Sequence, residues 1–111
     1  MNKIRFKKEY IIPAKWQVWW AYIGFYGCNG GKKRPVLITK VLGESCHIAE
    51  ISSRPPAFES DIPILDYNWA GLNRESVIQI RKTKVVRKDL LSRYMGELSD
   101  SDRRRIKGVI S

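Results

Sequence analysis

Histidine is nearly missing from this chain: His47 is the only one in 111 residues. That excludes acid/base catalysis by a pair of imidazoles. His47 stands beside Cys46 in an extended segment, where neighbours point to opposite faces, so convergent metal ligands are not expected there. No Cys or Ser is evidently paired with it as a nucleophile, and it reads as structural. Neither a metal nor an organic cofactor is expected. Cys28 and Cys46 are the only thiols, too few for a disulfide framework, and they read as free thiols of a reducing compartment. No apolar run reaches the roughly 18 to 20 residues of a membrane span. The basic start, with Lys3, Arg5, Lys7 and Lys8, soon meets Pro13 and Lys15, a poor fit to a signal peptide. A cytoplasmic protein without a membrane role is the expectation. Acidic residues are scarce as well: 11 Asp and Glu stand against 21 Lys and Arg, a formal net charge of +10. Such a field attracts polyanions, nucleic acid first among them.

What is present is a foldable core. The composition is 43% hydrophobic and 11% aromatic, which suits one compact domain. A basic extension over residues 1–15 precedes a domain over 16–111. Residues 16–26 are dense in aromatic and β-branched groups and predict a strand buried on both faces. Gly24 to Lys33 has the glycines of a long hairpin loop, and Pro35 to Leu42 predicts the returning strand. Further strands are predicted over Cys46–Ser52, Asp61–Ile64 and Ser76–Arg81. Arg54-Pro55-Pro56 forbids helix between them, and Asp66 to Asn73 reads as a turn or short helical piece. Ser99 followed by Asp102 makes a capping-box-like start for a helix over Asp100–Ile110, with Ile106, Val109 and Ile110 as its apolar face. Short strands with one terminal helix imply a mainly β (α+β) fold, a small closed or half-closed barrel.

The glycine-rich loop is not a phosphate P-loop, because Gly31-Lys32 is followed by Lys33 rather than Ser or Thr. It supplies Phe25, Tyr26, Asn29, Lys32 and Lys33, which are stacking groups and phosphate contacts, the two ingredients of single-strand binding. Arg34 ends the loop and is fixed by Pro35 and the strand that follows. A guanidinium offers a planar fork of donors to the extra charge of a phosphorane-like transition state. Arginine stays protonated in proteins, which argues against a role as a literal base. Ser52 and Ser53 can add hydroxyl donors to the same phosphate, although two short polar residues at a strand end are also ordinary turn-formers.

Taken in order, Val18-Trp19-Trp20-Ala21, the glycine-rich loop, Lys33-Arg34-Pro35-Val36-Leu37-Ile38, Ile51-Ser52-Ser53, Asp61-Ile62-Pro63-Ile64, Gln79-Ile80-Arg81-Lys82-Thr83 and Met95-Gly96-Glu97-Leu98-Ser99-Asp100 resemble the MazF/PemK toxin family. The resemblance covers about residues 16–110. It implies a compact bent barrel of the CcdB/MazF type with a C-terminal helix, and a homodimer. It also implies sequence-specific, metal-independent cleavage of single-stranded RNA to a 2′,3′-cyclic phosphate (or 3′-phosphate) and a 5′-hydroxyl. An acidic antitoxin protein is the implied partner. Arg34 matches the family's catalytic Arg and Ser52 its catalytic Thr. Gln79 matches a position that can contact RNA, and binding is expected to run through the glycine-rich loop and the neighbourhood of Arg54, Arg81 and Lys82. The chain departs from the pattern at Trp16-Gln17, where the family often has Gly-Asp, and at Tyr22, where it often has Asp. A missing carboxylate there would weaken loop positioning or the handling of a proton. Two other readings stay open: a non-catalytic RNA-binding module on the same fold, and a CcdB-like toxin that acts on gyrase and cuts nothing.

Overall fold

The structure, a computed structural model, describes residues 11–24 and 30–110. The elements are β1 (Gln17–Gly24), β2 (Gly31–Leu42), β3 (Ser45–Ser52), β4 (Asp61–Ile64), β5 (Ser76–Arg87), β6 (Leu91–Glu97) and α1 (Asp100–Ile110), with a single 3-10 turn at Lys88–Leu90. The strands form one antiparallel sheet in the order β4-β5-β3-β2-β1-β6. The mainly β fold with a terminal helix is the one expected, and among the described residues the sheet stays open, with β4 and β6 as its edges.

Alternation along the strands explains why both faces are covered. Val18, Leu37, Ala49 and Ile78 point to one face and meet Ala70, Leu72, Leu98 and Ile106 of α1. Trp19, Ala21, Val36, Ile38, Cys46 and Ile48 point to the other and form a second core. β1 thus contributes to both cores, as its density of large apolar groups predicted, until Tyr22 and Gly24 become exposed. The β2–β3 hairpin turns at Gly43, whose φ of 57° is open to glycine at no steric cost.

The start of β1 is bent. Trp16 has φ 80°, a left-handed conformation that bulky residues rarely adopt, at a position where the resemblance leads one to expect Gly. Its backbone is held on both sides: the Trp16 N–H donates to Ile38 O at 2.8 Å and the Leu98 N–H donates to Trp16 O at 2.9 Å. Gln17 then does local work that an Asp could not fully copy. Its Oε1 accepts from the Ala14 N–H (2.9 Å) and the Trp19 indole (2.8 Å), while Nε2 donates to Ile12 O (3.1 Å).

The helix begins as predicted, with Ser99 Oγ accepting the Asp102 N–H at 3.1 Å. Asp102 does not reach back to close a capping box. Completely buried, it accepts instead from the Leu65 and Asp66 N–H groups (3.2 and 2.9 Å) and from Arg105 Nη2 (2.6 Å). The 66–73 turn is thereby tied to α1, and the Ser99 hydroxyl donates to Asp66 Oδ2 at 2.6 Å. Gly71, at φ 87°, lets this turn approach β6, where an added Cβ would lie 2.2 Å from Met95 O.

Several expectations need correction. Lys32 and Lys33 belong to β2, not to the loop, because that strand begins at Gly31. β5 runs on past Arg81 to Arg87 through a wide bulge, and β6 was not anticipated at all. Val109 is exposed, since α1 rests on the core through Ile106 and Ile110 and turns Val109 away from it. Phe25, Tyr26, Cys28 and Asn29 lie outside the described residues.

Candidate functional site

Antiparallel pairing puts directly opposed residues on one face, and this organises the polar end of the sheet. Val36, Glu50, Gln79 and Asp61 form one cross-strand row through β2, β3, β5 and β4. The β2–β3 pairing ends at Val36 and Glu50; Arg34 precedes Val36 by one same-face step on β2, and Ser52 follows Glu50 by one on β3 and pairs with Val77 of β5. The face that carries the second apolar core therefore ends in a set of charged and hydroxyl groups.

Arg34 is held between β1 and β3. Its backbone partner is Ala21, and its Nε lies 3.9 Å from Glu50 Oε1 with about a third of the side chain exposed. Lys84 Nζ lies 3.1 Å from Glu50 Oε2, so one buried carboxylate sits between two cations. Ser52 Oγ accepts the Arg54 N–H at 3.1 Å. That bond uses a lone pair and leaves the hydroxyl hydrogen free to donate.

Gln79 is buried between Glu50 and Asp61. The Asp61 side chain is almost wholly buried: Oδ2 accepts from the Ala57 and Phe58 N–H groups (3.0 and 3.2 Å), while Oδ1 has no hydrogen-bond partner and faces Arg81 Nε at 3.8 Å. The Arg81 guanidinium in turn lies 3.9 Å from the centre of the Phe58 ring, a cation–π contact. A cleft of about 390 Å³ opens beside Ser52, lined by Ser53, Arg54, Pro56, Pro63, Ser76 and Val77. A larger one, about 690 Å³, lies at the start of α1 between Trp69, Glu97, Asp100 and Arg103. It contains none of the candidate residues.

The structure thus brings Arg34, Ser52, Gln79 and Arg81 to one end of one face, with Ser53 and Arg54 exposed on the adjoining loop. Lys32 shares the Arg34 face, whereas Lys33 alternates to the other side with Tyr22. Lys82 lies half-buried in the β5 bulge. Sequence reasoning missed Glu50, Lys84 and Phe58, and it took Asp61 for a strand residue only. The signal for Glu50 was present: Cys46, Ile48, Glu50 and Ser52 alternate on β3, so a carboxylate follows two core positions. His47 is half-buried and pairs with Lys40 and Val85 away from this row. Cys46 is a free, fully buried thiol. Burial pushes its pKa up, against a smaller lowering by Lys88, which makes it a poor nucleophile. Among the described residues no group of three or more His, Cys, Asp or Glu converges, and no helix is long and apolar enough to cross a membrane.

Residues 14–111 match the family model described as PemK-like, MazF-like toxin of type II toxin–antitoxin system. Among solved structures, the Mycobacterium tuberculosis toxin MazF-mt6 superposes with a TM-score of 0.68 at 22% identity, over 85% of this chain and 91% of that one. An endoribonuclease in complex with its cognate antitoxin, from a mycobacterial species, gives 0.66 at 17% identity, over 86% and 88%. The crystal structure of an Mtb toxin gives 0.60 at 24% identity, over 69% and 88%. A search of the curated proteins found no match.

Proposed function

Because the chain belongs to the PemK-like, MazF-like toxins of type II toxin–antitoxin systems, an endoribonuclease family, we propose that it cuts single-stranded RNA at specific sequences without a metal ion. The observation that carries this reading is the charged end of one sheet face, where Arg34 of β2 reaches Glu50 of β3 and Ser52 lies one same-face step beyond Glu50. In the proposed reaction the 2′-oxygen bonds to phosphorus, the P–O5′ bond breaks, and the 2′ proton is balanced by one delivered to the leaving 5′-oxygen. A 2′,3′-cyclic phosphate and a 5′-hydroxyl result. Arg34 faces the non-bridging oxygens as their charge grows, and Ser52 donates its free hydroxyl hydrogen to one of them. Arg81 and Lys84 add positive charge at the same end, while Gln79, Ser53 and Arg54 contact the strand on either side.

The partners follow from the same reading. RNA and an acidic antitoxin segment are both polyanions and compete for this basic end. We take the active species to be a cytoplasmic homodimer, and residues 1–15 to be an extension to a domain over 16–111. The test is product analysis in EDTA with an oligoribonucleotide and a copy carrying one 2′-deoxynucleotide at the cut site. Cyclic-phosphate ends, lost with the 2′-hydroxyl, are expected. Undiminished cutting of the deoxy copy would overturn the mechanism, and binding without any cutting would leave an RNA-binding module.

A further inference from the structure

We infer that Glu50 is a positioning residue for Arg34, an inference that rests on the proposed reaction for its kinetic part only. The Glu50 carboxylate is buried on β3, one same-face step from Ser52, and touches two cations of unequal closeness: Lys84 Nζ at 3.1 Å and Arg34 Nε at 3.9 Å. A buried carboxylate is costly unless it is paired. Lys84, on the neighbouring strand, is the closer partner and supplies that pairing. The carboxylate is then free to act on Arg34 as a fixed anion rather than a full ion-pair partner. It faces the Nε edge of the guanidinium, so the two terminal nitrogens remain the donors available to a phosphate.

The arrangement has a consequence for charge. One anion between two cations leaves a net single positive charge, enough to bind a phosphodiester while holding it less tightly than two free cations would. Removing the anion adds attraction for RNA and removes the constraint on Arg34. The role thus separates the rate from the affinity, which simple structural damage would not do.

The experiment compares wild type with E50Q and E50D in three readouts. In single-turnover cleavage E50Q should lose about ten- to a hundredfold in rate, the scale of misplacing a reacting group by about an ångström, and E50D should recover part of it. RNA affinity, measured with a non-cleavable 2′-deoxy oligonucleotide, should be equal or tighter in E50Q. The loss should shrink to nothing when the comparison is repeated in an R34A background. The third readout needs no RNA: the Arg34 Nε–Hε resonance should shift and broaden in E50Q. If the wild type does not cut RNA, the proposed reaction falls while this resonance still decides the positioning role. An unmoved resonance, or equal losses in rate and affinity, would overturn the inference.

Discussion

Two buried aspartates, Asp61 at the start of β4 and Asp102 against the chain just beyond that strand, are treated differently by their surroundings. Asp102 has both carboxylate oxygens occupied, by two backbone N–H groups and Arg105. Asp61 has one oxygen occupied by backbone and the other without a hydrogen bond, with Arg81 standing off at 3.8 Å. Glu50, in the same row, is paired by Lys84 at 3.1 Å and meets Arg34 only at 3.9 Å, short of a hydrogen-bonded fork. A fully satisfied buried acid serves architecture, because removing it orphans its partners. An acid held short of satisfaction keeps its cations oriented yet available. The contrast separates the acid that ties α1 to the chain after β4 from the acids that stand beside Arg34 and Arg81.

The largest expected effect lies beside the loosely paired acids. Arg34→Ala should lower cleavage by at least about a hundredfold, the scale of losing one strong transition-state donor, with little change in Tm because Lys84 remains as the closer partner of the buried Glu50. Ser52→Ala should cost about tenfold, through the loss of one neutral donor. At the tightly paired Asp102 the effect should be on stability. Asp102→Ala orphans the Leu65 and Asp66 N–H groups and should cost about 2 kcal/mol. For a domain of this size that is a fall in Tm of roughly 10 °C. The same variant should cut RNA at close to the normal rate where it remains folded.

A smaller effect concerns the thiols. Burial raises the Cys46 pKa, so at a given pH less of it is thiolate than in an exposed cysteine. Alkylation followed by peptide mapping should find Cys46 protected in the folded protein, with reaction growing only at high pH or on unfolding. Rapid labelling near neutral pH would contradict the burial assigned to it. The mildest effect expected is a matter of form: duplex RNA should bind less well than a single strand, since paired bases cannot splay for recognition, and affinity should fall log-linearly with salt.

Local pattern made much of this legible. The density of aromatic and β-branched residues placed β1, turn residues bounded β3 and β4, and the Ser99 cap placed α1, because those signals are confined to a few neighbouring residues. Arg34 and Ser52 were readable through their motifs. Their juxtaposition was not, since it depends on the β2–β3 register. β6 was hidden by its own composition: Leu91–Glu97 has no clear alternation, and it is ordered by pairing with β1 and by the Gly71 turn that closes on Met95. Glu50 and Lys84 escaped notice for a related reason. They meet only because the β5 bulge shifts Lys84 opposite Ile48 while Gln79 stays opposite Glu50, a displacement no periodicity announces.

The most direct measurement sets the two sites against each other in one preparation scheme: single-turnover cleavage of an oligoribonucleotide in EDTA, with Tm determined on the same samples, for wild type, R34A and D102A. The account predicts that R34A loses at least about a hundredfold in rate at an unchanged Tm, while D102A loses Tm and keeps its rate below the transition. An R34A protein that cuts as fast as the wild type, or a D102A protein that is fully stable but inactive, would contradict it.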